Sequence, residues 1–232
     1  MDSFFLVERR GLLRAFLAMG GSGLISAALS GCAANSVTSG IKRVSGDVFV
    51  NDKAVTTANL VATDATVTTG DSGVAVFVVG KDAFLLRKNS RITLKPQISS
   101  PSKNSSNPQI SGFQIHSGAL MSVFAPGIRR LRTPTAVVGV RGTGVYIEAS
   151  AQKSYICTCY GSVSIEALDG AKTREEIKTV HHDSPRIIYA DSGRIQEAPM
   201  VNHKDAELIL LEGLVGRKPP FVGSWGKVDN GY

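Results

Sequence analysis

The stretch "ATVTTGDSGVAVFVVGKDAFLLRKNSRITL", residues 65–94, determines the fold class that the sequence predicts. β-Branched and aromatic residues form short runs in it, and turn residues interrupt these runs at Gly-Asp-Ser-Gly (70–73) and Gly-Lys-Asp (80–82). Runs of this length, bounded by Gly, Asn and Asp, are typical of strands joined by tight turns. No helical period of apolar residues links one run to the next.

The same pattern continues on both sides of this stretch. Further runs of the same kind are "GDVFVND" (46–52), "FQIHSGALMSVFA" (113–125) and "TAVVGVRGTGVYIE" (135–148). We therefore predict an all-β domain over residues 41–168, a sandwich or a solenoid of many short strands. The Ser-, Asn- and Pro-rich segment 96–112 has no apolar periodicity, so we predict a long exposed loop there.

A C-terminal extension, residues 169–232, has a different composition. The segment 171–185 is polar, and "RIIYADSGRIQ" (186–196) is typical of a β-hairpin with an Asp-Ser-Gly turn. We predict one α-helix at about 203–215, with Asn202 as its N-cap. Its apolar positions share one face and are Leu208, Leu211 and Val215.

The N-terminus has the layout of an export signal. Arg9 and Arg10 precede an apolar, Gly- and Ala-rich run over residues 12–29, which is too short and too rich in glycine for a membrane span. "RRGLLR" resembles the twin-arginine export pattern, with Glu8 in place of the usual Ser or Thr. We predict that residues 1–31 form a signal peptide of the twin-arginine type.

The signal ends in a sequence that resembles a bacterial lipobox. "LSGC" (29–32) would make Cys32 the lipidated first residue of the mature protein, followed by a linker over residues 32–40. Ala33, rather than Asp, favours the outer over the inner membrane. The sequence thus predicts a periplasmic protein anchored to a membrane through its N-terminal lipid.

The charge of the chain is basic but spread out. The sequence has 26 basic and 19 acidic side chains, and loss of residues 1–31 leaves 23 and 17, a net charge of +6. The densest basic run is "GIRRLR" (127–132). For an exported protein such a surface favours an envelope protein, an anionic envelope polymer or lipid as partner, and not nucleic acid.

Several pieces between residues 45 and 165 resemble the FecR-type periplasmic domain, in the order of that family. The most specific is "TPTAVVGVRGTGVYI" (133–147), which is similar to the family's "TP-x-A … RGT-x-F-x-V" segment through Arg141, Gly142 and Thr143. The two glycines around Thr143 also indicate a bulge or a close backbone approach, with Arg141 either clamping the turn or binding an anion.

This resemblance implies an all-β domain of the cell envelope that takes part in signalling. Well-known members control a sigma factor through a cytoplasmic segment and a transmembrane helix. Here only ten residues lie up to and including the arginine pair, too few for the cytoplasmic segment. The lipobox-like sequence takes the place of the transmembrane helix. The resemblance therefore implies an exported binding, sensing or scaffold module without sigma-factor control.

The segment "SYICTCYG" (154–161) contains two cysteines, Cys157 and Cys159, which face the same side of a strand. Histidines of the extension, His181, His182 and His203, could complete a Cys2His or Cys2His2 site for zinc, copper or iron. Adjacent side chains on an extended backbone face opposite ways, so we expect only one of His181 and His182 to bind the metal. Two other interpretations stay open, a strained or redox-active disulfide and a pair of buried thiols.

No sequence motif supports catalysis. The chain has no Gly-x-Ser-x-Gly elbow, phosphate loop or His-Glu-x-x-His pair, and no catalytic residue is predicted. We predict a non-catalytic envelope module. The alternative is a metal- or thiol-dependent envelope oxidoreductase or sensor centred on the Cys/His residues.

Overall fold

The computed structural model describes residues 39–98, 109–168 and 173–223, and 54% of the described residues are in strands. The predicted signal peptide, with Arg9 and Arg10, the lipidation site Cys32 and most of the linker lie outside the described residues. Within the described ranges, no helix has the length and apolar character needed to cross a membrane.

Fourteen strands of the described chain belong to one continuous open sheet, as the all-β prediction requires. In chain order they are β1 (Gly40–Ser45), β2 (Val48–Val50), β3 (Lys53–Ala54), β4 (Thr66–Thr69), β5 (Val74–Val79), β6 (Asp82–Leu86), β7 (Arg91–Pro96), β8 (Ile110–Val123), β9 (Ile128–Arg132), β10 (Ala136–Ala149), β11 (Lys153–Ala167), β12 (Arg174–Thr179), β13 (Arg186–Tyr189) and β14 (Ile195–Glu197). One helix, α1 (Asp205–Leu214), and a short 3₁₀ turn, Pro220–Gly223, follow.

The three longest strands, β8, β10 and β11, divide this sheet into two layers. Residues 136–141 of β10 pair with β9 and with residues 162–167 of β11. Residues 144–149 of β10 pair with β8 and with residues 154–160 of β11. The register shifts between Arg141 and Val145, where Gly142 has φ +58°. Strands that change layer at a bulge are the usual corners of packed sheets.

Each layer can be defined by its paired strands. Layer 1 contains β2, β3, β4, β7, β9 and β12 with one half of each long strand. Layer 2 contains β1, β5, β6, β13 and β14 with the other halves. This arrangement corresponds to the sandwich alternative of the sequence prediction.

The inner core lies between the two layers and is mainly apolar. Phe77 and Phe84 stack there with ring centroids 4.9 Å apart, and Phe113 and Phe124 pack edge-on against Phe84. Valine, leucine and isoleucine side chains from both layers fill the rest. Burial of this many apolar side chains is the main source of stability of the sandwich.

A second apolar cluster, the outer cluster, covers the other face of layer 2. Because strand side chains alternate, Ile156 of β11 enters the inner core while Tyr155 and Cys157 point the opposite way. The helix α1 and its C-cap close this cluster with three buried residues, Leu208, Leu211 and Val215, which confirms the predicted apolar face. Burial of each leucine stabilises by about 1.5–3 kcal/mol.

The structure corrects three local predictions. The predicted loop over residues 96–112 begins later and ends earlier, because Pro96 of β7 pairs with Ile110 of β8; residues 99–108 lie outside the described residues. The polar segment 171–185 contains a strand, β12, which pairs with β11. The N-cap of α1 is Lys204, whose N–H donates to the Glu207 carboxylate at 3.0 Å, and not Asn202.

The "RGT" segment forms the corner of β10. Thr143 is fully buried, and its carbonyl accepts a hydrogen bond from the Phe124 N–H at 3.0 Å. Arg141 is exposed and has no hydrogen bond or ion pair with any described residue, so the backbone of Gly142 and Thr143 forms the corner without a clamp from this side chain.

Candidate metal centre

Four of the five predicted ligand residues come together beneath α1. The Sγ atoms of Cys157 and Cys159 and one imidazole nitrogen each of His182 and His203 all lie within 4.8 Å of one another. All four residues are buried, and both cysteines are free. The fifth residue, His181, lies outside this group and is 43% exposed beside Asp205.

The two cysteines are positioned by β11. This half of the strand belongs to layer 2, pairs with β10 and β13, and directs every second side chain outward. Cys157 lies opposite Tyr146 of β10, and the Sγ of Cys159 approaches the Met121 Sδ at 4.0 Å. The strand therefore presents both sulfurs on one face, as the Cys-x-Cys spacing predicts.

His182 is positioned by the turn that follows β12. The Asp183 carboxylate accepts hydrogen bonds from the Thr179 hydroxyl at 2.8 Å and the Val180 N–H at 3.1 Å. His182 itself has φ +54°, and its N–H donates to the Cys159 carbonyl at 3.0 Å. The two neighbouring imidazoles stay close, with ring centroids 4.8 Å apart, but only the second joins the sulfurs.

His203 is held between the sheet and the start of α1. Its ring stacks on Tyr146 with centroids 4.5 Å apart. Its Nδ1 is 2.6 Å from the Val201 carbonyl oxygen, which can only accept, so Nδ1 carries the hydrogen. In the neutral ring, Nε2 is then left with a free lone pair directed at the cluster.

The same reasoning fixes the tautomer of His182. Its Nε2 is 2.9 Å from the Asp205 carboxylate and donates to it, so in the neutral ring Nδ1 has the lone pair. This Nδ1 lies 3.0 Å from the His203 Nε2 and 3.4 Å from the Cys157 Sγ. Two lone pairs and a sulfur that face one another at these distances repel unless a proton or a metal cation lies among them.

These distances suit a tetrahedral metal ion. Zinc bonds of about 2.3 Å to sulfur and about 2.0 Å to nitrogen place neighbouring ligand atoms roughly 3.3–3.8 Å apart. Each imidazole also donates its other N–H to an acceptor, Asp205 or the Val201 carbonyl, as metal-bound histidines almost always do. The donor set of two thiols and two imidazoles is one that zinc binds in structural sites.

The electrostatics of the cluster favour a thiolate. The adjacent Cys159 thiol, with His182 and His203, lowers the pKa of Cys157 to about 4 although burial acts in the opposite direction. Burial and the neighbouring thiolate raise the pKa of Cys159 well above its usual value. A cluster with one thiolate already formed needs to release only one thiol proton when a metal ion binds.

His182 and Asp205 each shift the pKa of the other toward the ionised form. Burial opposes ionisation of His182, but its contacts with Cys157 and Asp205 raise its pKa above the usual value. Burial likewise opposes ionisation of Asp205, but hydrogen bonds from His181 and His182 lower its pKa. Asp205 therefore stays ionised and orients both histidines.

Sequence reasoning missed three residues of the site, Asp205, Tyr146 and Met121. Asp205 had a usable signal, since an acidic residue in the first turn of a predicted helix lies close to the segment that carries His203. Tyr146 and Met121 lie on other strands, and only the register of the sheet brings them to the cluster.

Comparisons with known proteins add little to this geometry. No known protein-family profile and no curated protein sequence matches the chain. Among solved structures, two crystal structures of a candidate anti-sigma factor from Parabacteroides distasonis are similar, with TM-scores of 0.45 and 0.44 and 10% sequence identity. Each match covers 70% of this chain and 64% of the other, less than two thirds of its length. The resemblance to FecR-type domains stays a prediction.

Proposed function

We propose that this chain is a non-catalytic binding or sensing module of the cell envelope, in which a zinc ion bound by Cys157, Cys159, His182 and His203 holds α1 and the segment before it against layer 2. One observation carries the proposal. Two imidazole nitrogens, on rings whose other nitrogens each donate to an oxygen acceptor, face each other at 3.0 Å beside the two sulfurs.

The position of the ligands supports a fastening role. The sulfurs belong to β11, His182 to the turn after β12 and His203 to the segment before α1, so one ion would join three separate parts of the chain. Binding energy at such a site is also folding energy, because the unfolded chain does not hold the ligands together. The helix α1 and the outer cluster would gain stability from the ion.

The closed ligand set supports a non-catalytic role. Structural zinc sites use four protein ligands, whereas catalytic sites keep one position open for water or substrate. All four residues are buried, at 0%, 0%, 9% and 5% exposure, so a substrate has no direct path to the ion. A solvent-shielded centre of this kind stabilises structure instead of activating a substrate.

The outer face of layer 1 supports an anionic partner in the envelope. Arg130 and Arg132 of β9 and Arg141 of β10 are exposed there, and none forms an ion pair with a described residue. Unpaired cations on a flat sheet attract a polyanion through long-range electrostatics. The proposal includes export, the lipid anchor at Cys32 and a periplasmic location, with an anionic envelope polymer as partner.

Metal analysis tests the metal-centred part of the proposal. Residues 33–232 would be produced without a chelator or reductant, because the described residues from 39 to 223 belong to one compact unit. We expect about one zinc ion per chain, thiols that react only after chelation, and loss of the metal in the double variant Cys157→Ser/Cys159→Ser. His116→Ala, an exposed histidine of layer 1, is the matched control and should keep the metal.

A second candidate function, a thiol-based redox sensor, is favoured by the lowered pKa of Cys157, since a thiolate is the reactive form. It predicts metal-free protein in which no thiol reacts until a reductant is added, and two react afterwards. That result would replace the zinc centre with the redox pair. Metal-free protein with two thiols that react only on unfolding would refute both functions.

A further inference from the structure

A cavity of about 600 Å³ lies on the outer face of layer 2, next to the metal centre. The helix α1 packs on the part of this face that carries the cysteines, and the cavity opens at the adjacent row. Tyr155, Glu148 and Ala119 lie side by side in that row on neighbouring strands. The cavity is within the range of about 300–1,000 Å³ that small-molecule sites occupy.

The walls of the cavity combine aromatic rings with a small floor. The rings of Tyr146 and Tyr155 meet edge to face with centroids 6.2 Å apart. Gly118 and Ala119 of β8 contribute no large side chain to the floor, and the Arg87 guanidinium lies over the Tyr146 ring, 5.5 Å from its centroid. Both rings are almost fully buried, at 1% and 6% exposure, and together with the small floor they form an apolar side of the cavity that favours a ligand with an apolar body.

The charges at the mouth favour an anion. Lys88 and Lys153 line the cavity, are exposed, and form no ion pair with a described residue. Arg87 binds Glu207, but its Nε is buried without a hydrogen-bond partner among the described residues. The single carboxylate, Glu148, already accepts hydrogen bonds from Tyr146 and Asn202. The available donors of the cavity therefore outnumber its available acceptors.

The cavity and the metal centre share structural parts. Tyr146 lines the cavity and stacks on the metal-centre histidine His203. Asn202, which directly precedes that histidine, donates to Glu148 at 2.7 Å, and its carbonyl accepts from Arg87 at 2.7 Å. A ligand that orders Tyr146 and Asn202 also orders the ring that binds the metal.

We propose that this cavity binds a small organic anion with an apolar body, and that occupancy of the cavity and occupancy of the metal centre strengthen each other. The second clause rests on the proposed function, whereas the first does not. Linkage of two sites is reciprocal, so each ligand must change the affinity of the other by the same factor.

The anion site is tested with the fluorescent probe anilinonaphthalene sulfonate and residues 33–232 loaded with zinc. We expect one saturable site, three- to tenfold weaker in Lys88→Gln/Lys153→Gln. Ala119→Met fills the floor and should weaken binding more than tenfold. The matched control, Arg130→Gln/Lys178→Gln on layer 1, should bind as the unchanged protein does.

The neutral analogue phenylnaphthylamine separates charge from apolar attraction. We expect it to bind more weakly than the sulfonate and to be insensitive to the lysine changes. Near-ultraviolet circular dichroism of each variant verifies that the fold is kept. Equal probe affinity in all folded variants, or equal affinity for the neutral analogue, would overturn the anion site.

The linkage is tested by repeating both titrations with the other ligand present and absent. We expect zinc to tighten probe binding about fivefold or more, and the probe to tighten zinc binding by the same factor. Zinc binding and cavity binding that prove independent would overturn the linkage and leave the proposed function standing. Failure of zinc to bind at all would overturn both the linkage and the proposed function, while the anion site would still be decided by its own variants.

Discussion

The inner core and the outer cluster use opposite faces of the same strands, yet they are built from different chemistry. The inner core is made mainly of apolar side chains, with a few buried hydroxyls such as those of Ser122 and Thr158, and is enclosed by two layers of sheet. The outer cluster combines apolar residues with cysteines, and it lies against His182, His203 and Glu212, which are also buried. Only the second region depends on a segment that must dock from outside the sheet.

This difference indicates that the two regions have different sources of stability. Apolar burial needs no partner of matching charge, so the inner core should be insensitive to metal ions. Buried charged groups are stable only when their partners are in place, as for Glu212, which binds Tyr160 and Arg217. The stability of the outer cluster should therefore vary with the occupancy of the metal centre.

The largest effect is expected in the inner core. Phe84→Ala removes a fully buried ring that contacts three other phenylalanines, and should lower the free energy of unfolding by about 3–5 kcal/mol. Urea denaturation measures the loss, which should be the same with zinc and with chelator. Ile128→Ala, at a site 76% exposed, is the control and should change stability by less than about 0.5 kcal/mol. A loss of unfolding free energy that appeared only after zinc removal would show that the inner core depends on the metal as the outer cluster does.

Zinc should stabilise the folded chain through the outer cluster. At a free zinc concentration about 1,000 times the dissociation constant, the unfolding free energy should rise by about 4 kcal/mol relative to chelated protein. The variant Cys157→Ser/Cys159→Ser should show no such rise, whereas His116→Ala should show it in full. Thermal unfolding at several zinc concentrations provides the measurement. A rise in the cysteine variant equal to that of the unchanged chain would place the ion elsewhere.

Loss of a single hydroxyl should weaken the outer cluster by less. Tyr160→Phe removes the hydroxyl that donates to the buried carboxylate of Glu212, and should destabilise by about 1.5–3 kcal/mol. Tyr189→Phe, on β13, is the comparison, because its hydroxyl has no hydrogen bond in the described chain. Similar losses in the two variants, measured by urea denaturation, would show that this buried pair contributes nothing specific.

The smallest expected change in free energy concerns the residue that orients the histidines. Asp205→Ala removes the acceptor of His181 and His182, and should weaken zinc binding about 10- to 100-fold. Competition with a chromophoric chelator measures the affinity. Glu176→Ala, an exposed acid of β12, controls for the loss of one negative charge. Unchanged zinc affinity in Asp205→Ala would contradict the hydrogen-bond assignment of both rings.

The fold could be predicted from the sequence where patterns are local. Alternation of β-branched residues identified most strands, and the spacing of Leu208, Leu211 and Val215 identified the buried face of α1. The strand β12 was missed because "REEIKT" (174–179) is mostly charged. It pairs along β11 with only Ile177 and Thr179 buried, and its other side chains remain in solvent or half-buried. Tertiary pairing, not intrinsic propensity, makes this segment a strand.

The site could be predicted in part for the same reason. Strand geometry places Cys157 and Cys159 on one face without knowledge of the rest of the fold. The choice between His181 and His182 depends on the positive φ of the second residue and on the turn organised by Asp183, which no local pattern specifies. The contributions of Tyr146 and Met121 depend on the register of β8, β10 and β11.

Hydrogen exchange of α1 and the inner strands, with zinc and with chelator, tests the central claim most directly. We predict that chelation strongly accelerates exchange of the amides of residues 205–214, while the amides of β6 and of residues 144–149 in β10 stay protected. The variant Cys157→Ser/Cys159→Ser should exchange in zinc as the unchanged chain does in chelator. Equal protection of α1 in zinc and in chelator would contradict a metal ion that holds α1 against the sheet.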